Sequence, residues 1–205
     1  YNNTRYGINI TNSKNITINS NTIYNNSYSG IILINNINDT IKNNIIYNNT
    51  LAGIMLNSSN YTIIENNNVT KNGVMTTSSN AANIIIFESS GNNLTNNTIT
   101  RSEGYGIRLD SSENNLLTNN TIINNNLTGI YASGDSNQVN QVINSTGITS
   151  TVSSSILKIF WYLRMYIYDI APIANMNVTF YNRTGKLIAS ALTAGHGYTR
   201  EITLL

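Results

Sequence analysis

A Gly-Ile step returns at regular intervals along this 205-residue chain. The steps begin at Gly7, Gly30, Gly53, Gly106 and Gly129. The intervals between them are therefore 23, 23, 53 and 23 residues. The interval of 53 divides into 30 and 23 if Asn83 takes the glycine position of a further repeat. Because a fixed period of roughly 20–50 residues is typical of solenoid proteins, we predict six repeats with a seven-residue insertion between the third and the fourth.

Aligned on this period, apolar residues fill three columns, at three, eleven and sixteen residues after the glycine position. The three-residue column contains Ile10, Leu33, Leu56, Ile86, Leu109 and Ala132. The other two contain Ile18, Ile41, Ile64, Leu94 and Leu117, and then Ile23, Ile46, Val69, Ile99 and Ile122. A column made only of asparagine lies at fourteen, namely Asn21, Asn44, Asn67, Asn97 and Asn120. A second polar column, at nineteen, contains Asn26, Asn49, Asn72, Ser102 and Asn125.

The repeat favours short strands over helices. Apolar residues lie two apart, no stretch shows a 3.6-residue period, and asparagine and β-branched residues are poor helix formers. One repeat cannot bury its own apolar face, but stacked repeats bury a continuous core. Identical asparagines then lie about 4.8 Å apart, and their side-chain amides hydrogen-bond along the stack. We therefore predict an all-β fold, a parallel β-helix of about six 23-residue coils with an inward-pointing asparagine ladder.

These columns resemble the right-handed parallel β-helix repeats of the pectate-lyase-like superfamily, in particular the NosD-like and archaeal surface-protein arrays. The resemblance rests on the Gly-Ile steps and the asparagine corners between Tyr6 and Gly147. It implies a right-handed β-helix over residues 1–147. That scaffold carries lyases, hydrolases, adhesins and inert spacers alike, so the resemblance implies a fold and not an activity.

The period stops at Ile148, and the rest of the chain has another pattern. Residues 148–155 are rich in Ser and Thr without a core pattern, which is typical of a linker. From Leu157 to Asp169 the residues alternate as in a long strand, and three shorter strand patterns follow. Residues 156–205 resemble the Ig-like or carboxypeptidase-regulatory-like β-sandwich modules of surface proteins. Because a complete sandwich needs about seven strands, we expect an antiparallel module that is truncated or is completed by a neighbour.

Composition limits the setting and the partners of the chain. About a fifth of the residues are asparagine, there is no cysteine, and the net charge is +2. A disulfide framework and a thiolate metal site are therefore excluded, and binding to nucleic acid is not favoured. No apolar segment is long enough to span a bilayer, and we predict no metal and no cofactor. We predict an extracellular or cell-surface glycoprotein. A chain this rich in Asn, Ser and Thr contains Asn-x-Ser/Thr sequons by chance, but in a secreted protein each is a possible glycan acceptor. The candidate acceptors are Asn2, Asn25, Asn48, Asn57, Asn60, Asn126, Asn144, Asn177 and Asn182.

One cluster of charged residues could serve catalysis. Arg108 and Asp110 are predicted to face outward from one strand, with Glu88 on the coil below. A polysaccharide lyase of the β-helix type needs clustered acidic Ca²⁺ ligands and an arginine, and a glycosidase needs two carboxylates at a defined separation. A single such group on a solvated face is more typical of a surface ion pair. We therefore predict that the protein is not an enzyme, and these three residues are the only catalytic candidates.

Outward positions in the middle coils form an apolar strip, which consists of Ile32, Ile34, Met55, Ile85 and Phe87. Parallel sheets that are covered on both faces show such runs, and an uncovered patch of this kind marks an interaction site. We predict that β structure from a neighbouring subunit or from the C-terminal region covers the strip. We also predict self-association into a filament or lattice, through this strip, through open β edges, and through an outer face of the C-terminal region that carries Tyr162, Tyr166 and Tyr168.

Together these features predict a non-catalytic, secreted or cell-surface structural protein, such as a surface-layer, adhesin or filament subunit. The alternative is a carbohydrate-active β-helix enzyme, similar to a polysaccharide lyase or a glycosidase, or a carbohydrate-binding module. Carboxylates that converge in a groove would favour the alternative.

Overall fold

The computed structural model describes residues 3–74, 81–135 and 137–163, together with strands at 177–181, 187–192 and 202–204. The chain divides into two units, Tyr1–Lys158 and Ile159–Leu205. The described residues contain only strands and turns, and none of their segments is a helix long and apolar enough to cross a membrane.

Short strands separated by turns make up the coils of the first unit. The first three coils contain β1 (Ile8–Thr11), β2 (Thr17–Asn19), β3 (Thr22–Tyr24), β4 (Ser29–Ile34), β5 (Thr40–Lys42), β6 (Ile45–Tyr47), β7 (Ala52–Asn57), β8 (Ile63–Glu65) and β9 (Asn68–Thr70). The next three contain β10 (Ala82–Phe87), β11 (Asn93–Thr95), β12 (Thr98–Thr100), β13 (Tyr105–Asp110), β14 (Leu116–Thr118), β15 (Thr121–Ile123), β16 (Ile130–Ser133) and β17 (Val139–Ile143). They are followed by β18 (Ser150–Ser153).

Strands of successive coils pair in parallel and form three sheets along the stack. The first sheet has the order β1-β4-β7-β10-β13-β16-β18, the second begins β2-β5-β8-β11-β14-β17, and the third contains β3, β6, β9, β12 and β15. Ile31 pairs with Ile54, and Ile54 pairs with Ile84. The register therefore shifts by 30 residues between the third and fourth coils, as predicted, and Asn83 takes the glycine position. These pairings confirm a parallel β-helix of about six coils.

The inner faces of the three sheets form the core. In coils two to five the three predicted apolar columns are buried without exception, and Leu33, Ile41 and Ile46 each have 0% of their surface exposed. The close stacking of the coils explains why the repeat contains glycine. A Cβ atom added to Gly30 would lie 2.7 Å from the carbonyl oxygen of Gly53 and 2.8 Å from Cγ2 of Ile46. Glycine is therefore required by the approach of adjacent coils.

The Asn-Asn corner divides two tasks between two consecutive residues. The first asparagine has a left-handed backbone, with φ angles of 56° at Asn43, 56° at Asn66 and 55° at Asn96. Asparagine tolerates this conformation better than most residues. The second asparagine points into the stack and hydrogen-bonds to its counterparts in the next and the preceding coil. The pentapeptide Thr-Asn-Asn-Thr-Ile occurs twice, at residues 95–99 and 118–122, because each copy forms such a corner and the start of the strand that follows.

The predicted asparagine ladder is confirmed. In each step one Oδ1 accepts from both the backbone N–H and the Nδ2 of the preceding coil, as Asn67 does from Asn44 at 2.9 and 3.0 Å. Asn44, Asn67, Asn97 and Asn120 are 1–2% exposed. Asn21 keeps its bonds to Asn44 but is exposed.

A second ladder runs along the nineteen column, through Asn26, Asn49 and Asn72. In the fourth coil the nineteen column holds Ser102, whose side chain carries no amide. The side chain of Asn83 occupies this place in the ladder: its Oδ1 accepts from Asn72 Nδ2 at 2.8 Å, and its Nδ2 donates to Asn125 Oδ1 at 3.3 Å. The loss of glycine and the loss of asparagine in this coil therefore compensate each other.

The sixth coil contains two extra residues between its first and second strands. Ile107 pairs with Ile130 at a shift of 23, but Leu117 pairs with Val142 at a shift of 25. The sequence pattern fades here because of this offset and because Thr146, which forms an isolated bridge with Thr121, is followed by Gly147 where the earlier coils have an apolar residue. Residues 148–155, expected to be a linker, include β18, which pairs in parallel with β16.

The second unit is described by its strands alone. β19 (Ile156–Leu163) crosses the boundary between the units, and β20 (Asn177–Tyr181), β21 (Leu187–Leu192) and β22 (Ile202–Leu204) follow. β19 pairs with β22 and β20 with β21, both antiparallel. The predicted long strand from Leu157 to Asp169 is thus seen as far as Leu163, and its remaining residues lie outside the described ones. The described strands do not support the Ig-like β-sandwich module, truncated or completed by a neighbour, that we expected over residues 156–205.

Candidate functional site

The outer face of the first sheet changes character along the stack. Its outward side chains lie in two rows, because residues at equal positions of successive coils are cross-strand partners. One row contains Ile32, Met55, Ile85, Arg108 and Tyr131, and the other contains Ile34, Asn57, Phe87, Asp110 and Ser133. The face is therefore mainly apolar in coils two to four, and charged and aromatic in coils five and six.

The apolar half is packed within itself. Ile32 is 3% exposed and Ile85 is 5% exposed, although both point away from the helix core. Ile85 clusters with Ala52 and Ala82, and the partly buried side chains of Leu51, Met55, Phe87 and Tyr105 pack against this cluster. Side chains on the same face thus cover part of the apolar strip that the sequence predicted. Its role as an interface between subunits stays a prediction.

The charged half contains an ion pair on one strand. The Nε of Arg108 contacts Oδ2 of Asp110. The other carboxylate oxygen, Oδ1, accepts a hydrogen bond of 2.5 Å from the hydroxyl of Ser133. Asp110 is 7% exposed, whereas the sequence placed it on a solvated face. Both carboxylate oxygens are thus held in fixed directions.

Aromatic rings border this ion pair. Tyr105 and Tyr131 stack with 4.7 Å between ring centroids and 24° between their planes. The guanidinium carbon of Arg108 lies 5.8 Å from the centroid of Tyr131, which is within the range of a cation–π interaction. Arg108 is therefore oriented by a carboxylate and by a ring.

A hollow of about 240 Å³ joins the two halves of the face. Its wall changes from apolar side chains at one end to the ion pair at the other. The lining residues are Tyr28, Leu51, Met55, Ile85, Phe87, Arg108 and Asp110.

Glu88, the third catalytic candidate, lies at the corner that follows β10. Its backbone N–H donates to the carbonyl oxygen of Asp110 at 3.0 Å, and its side chain is exposed. The backbone is left-handed there, with a φ of 47°. Arg108 and Asp110 thus line the hollow, and Glu88 lies next to Asp110 through its backbone. Among the residues described, no group of three or more Asp, Glu, His or Cys could hold a metal ion.

Tyr105, Tyr131 and Ser133 were not among the sites predicted from the sequence. Tyr131 and Ser133 could have been found, because they continue the two outward columns that contain Arg108 and Asp110. Tyr105 could not, since its ring reaches Tyr131 diagonally from a different column. A separate stacked pair, Tyr24 and Tyr47, lies on the third sheet with 5.0 Å between centroids.

The predicted glycan acceptors fall into different environments. Asn25, Asn48, Asn126 and Asn144 are exposed, and Asn57 and Asn60 are half-buried. Asn2 and Asn182 lie outside the described residues, as do Tyr166 and Tyr168. The side chains of Asn177 and Tyr162 also lie outside what the structure describes.

Comparison with known families agrees with this architecture. The model of a family described as "Right handed beta helix region" matches residues 6–159. The chain belongs to this family. The right-handed β-helix that the sequence columns resembled is thereby confirmed, while the match does not extend to the predicted Ig-like module. No curated protein sequence matches the chain.

Solved structures of other β-helix proteins share the fold. The periplasmic alginate epimerase AlgG superposes with a TM-score of 0.63 at 23% identity, over 76% of this chain and 42% of its own. Tailspike protein 2 from Escherichia coli O157:H7 bacteriophage CAB120 superposes with a TM-score of 0.56 at 11% identity, over 96% of this chain and 34% of its own. The chain thus spans less than half the length of either protein.

The prediction that this β-helix protein is not an enzyme is contradicted by these neighbours. The alginate epimerase is a carbohydrate-active enzyme, and it superposes over three quarters of the chain. At this level of identity the likeness establishes the fold, which is compatible both with enzymes and with structural proteins.

Proposed function

We propose that the protein is a carbohydrate-active enzyme that binds a polysaccharide across the outer face of its first sheet, with Arg108 and Asp110 at the reacting sugar. The observation that carries this proposal is the ion pair between these residues, held by Ser133 and bordered by Tyr131 at the end of a hollow. The alginate epimerase fold supports it, because that protein is a carbohydrate-active enzyme built on the same scaffold.

The arrangement provides the groups that sugar binding requires. Aromatic rings offer apolar faces to the C–H side of a sugar ring, and a guanidinium and a carboxylate offer charge-assisted hydrogen bonds to its hydroxyl or carboxyl groups. A nearly buried charged pair costs desolvation energy and contributes little to stability. Its presence on an outer face is therefore more typical of a functional site than of a structural one.

The chemistry we assign to the site is proton transfer by Asp110. Hydrolysis, elimination and epimerisation of sugars all need a positioned acid or base, which contributes roughly 10²–10⁴-fold to the rate. Asp110 is positioned by Arg108 and Ser133. Glu88, at the corner that follows the neighbouring strand β10, is the candidate for the second carboxylate that hydrolysis requires, because its backbone N–H bonds to Asp110.

The test is activity on a panel of alginate, polygalacturonate, xylan and fructan. Reducing ends report hydrolysis, the absorbance of unsaturated uronates reports elimination, and proton NMR reports epimerisation. Asp110→Asn should lower the activity on the active substrate by at least about 100-fold. Asp135→Asn is the control, because Asp135 is an exposed carboxylate outside the site. Equal activity of the wild type and the Asp110→Asn variant would overturn the assignment, as would no binding and no turnover on any polymer.

We also propose an extracellular or periplasmic location. It is supported by the periplasmic epimerase and the phage tailspike among the structural neighbours, and by the sequons noted above. Self-association stays a prediction. Light scattering tests it, and a dimer that closes over Met55 and Phe87 would leave no access for a polysaccharide.

A further inference from the structure

We propose that the hollow beside the ion pair holds an acyl substituent of the polysaccharide, most simply an O-acetyl group. This inference rests on the proposed function, because the sugar that carries the substituent has to be bound by the charged half of the same face. It adds the substrate class: a polysaccharide esterified with short acyl groups.

The wall of the hollow does not suit a bare sugar. Leu51, Met55 and Ile85 have no polar side-chain atoms that could replace the water bound to sugar hydroxyls. A hydroxyl pressed against them would lose its hydrogen bonds, which is costly. Conversion of that hydroxyl to an acetyl ester removes the donor and adds a methyl group. The same surface then gains favourable apolar contact.

The dimensions of the hollow agree with a small group. A dry apolar cavity of about 150 Å³ is large enough to bind benzene. The hollow, at about 240 Å³, is open on one side and can take an acetyl group together with the edge of the sugar ring that bears it. The thioether of Met55 is flexible and polarisable, which suits small apolar groups of varied position.

The hollow fixes the orientation of the ligand, with the substituent at the apolar end and the sugar at the end with the ion pair. Ile85 and Arg108 are cross-strand partners, and so are Phe87 and Asp110. Neighbouring strands lie about 4.8 Å apart. An ester group that contacts Ile85 and Phe87 therefore sets its sugar one strand further along, beside Arg108, Asp110 and the ring of Tyr131.

The experiment compares matched pairs of polymers: acetylated xylan, acetylated glucomannan and acetylated alginate, each with its alkali-deacetylated form. Calorimetry on the whole chain measures the dissociation constants. For at least one pair we expect the acetylated form to bind about fourfold more tightly for each methyl group buried. Met55→Gln should remove this preference, because the amide would compete for the hollow with bound water. Ile63→Gln should retain it, since Ile63 is 41% exposed on a different sheet.

Each outcome separates the two proposals. Equal binding of both forms of a polymer overturns the acyl inference and leaves the proposed function standing. Binding of neither form of any polymer overturns the proposed function. A preference that survives in Met55→Gln overturns the location of the acyl group. The wild-type comparison needs no variant, so the inference stays testable even if Met55→Gln does not fold.

Discussion

The exchange of roles between Asn83 and Ser102 allows a quantitative test of the ladder. In the third and fifth coils the glycine position faces a ladder asparagine: a Cβ on Gly53 would lie 2.8 Å from Asn72 Nδ2, and one on Gly106 would lie 2.7 Å from Asn125 Nδ2. In the fourth coil the ladder amide belongs to Asn83, at the glycine position, and the nineteen column holds Ser102. The double variant Asn83→Gly/Ser102→Asn therefore gives the fourth coil the residue pattern of its neighbours. A double-mutant cycle with the two single variants measures how strongly the two positions are coupled.

Asn83→Gly alone should be destabilising. Asn83 accepts from the backbone N–H of Asn72 at 3.2 Å and from its Nδ2 at 2.8 Å, and it donates to the carbonyl oxygen of Thr100 at 2.9 Å. In the variant, the Nδ2 of Asn72 keeps its bonds to the carbonyl oxygens of Ile46 and Thr70. The buried backbone N–H of Asn72 loses its acceptor, the Oδ1 of Asn83. One unsatisfied group costs about 1–3 kcal/mol, and a glycine within a strand adds roughly 0.5–1 kcal/mol. We expect a loss of about 1.5–4 kcal/mol.

Ser102→Asn alone should also be destabilising, because two amides would then compete for one place. Overpacking of this kind costs roughly 1–3 kcal/mol. In the double variant the new asparagine can accept from Asn72 and donate to Asn125, as Asn72 and Asn49 do in other coils. The double variant should therefore be more stable than the sum of the single changes predicts, by about 2 kcal/mol or more.

Urea unfolding followed by circular dichroism measures this coupling. Asn68→Gly is the control for the backbone effect of glycine, since Asn68 is exposed in β9 and lies outside the ladder columns. It should cost no more than about 1 kcal/mol. Additive effects of Asn83→Gly and Ser102→Asn would show that the side chains do not share one place, and would refute the reasoning.

Two further substitutions test the stacking of the coils. Asn67→Ala removes the amide that accepts from Asn44 and donates to Asn97. It should lower the free energy of unfolding, measured in urea, by about 1–3 kcal/mol. A loss no larger than that of the exposed control Asn68→Ala would show that the ladder contributes nothing. Gly30→Ala should lower the thermal midpoint by more than Gly129→Ala does. The added Cβ would lie 2.7 Å from a backbone oxygen at Gly30, whereas its nearest atoms at Gly129 would be 3.2 Å away. A larger loss in Gly129→Ala would argue against glycine as a packing requirement.

The fold could be predicted from the sequence because each coil repeats the same contacts. A residue such as Ile41 meets Ile18 and Ile64, which are its own counterparts, so one physical requirement appears as a column. A third polar column, nine residues after the glycine position, was missed because its residues are not of one type. Its buried members differ in type, as Asp39, Thr62 and Asn92 do, and the amide-to-amide bond appears only in the later coils, from Asn92 to Asn115 and from Asn115 to Asn140. A column that keeps its hydrogen bonds but changes its residue type gives little signal.

Outward positions follow other rules, and this difference explains why the site was only partly foreseen. An inward residue must fit the coils above and below it, so the stacking restricts its type. An outward residue meets solvent or a ligand, so the stacking leaves its type open. The pairing of Arg108 with Asp110 follows from alternation along one strand. The burial of Asp110 does not, because it depends on how the neighbouring side chains pack, Ser133 and the residues that line the hollow among them. The change from Ile32, Met55 and Ile85 to Arg108 and Tyr131 along one outward row is required by nothing in the core. A ligand that contacts both halves of the face gives that change a physical reason, and the acylated polysaccharide proposed above is such a ligand.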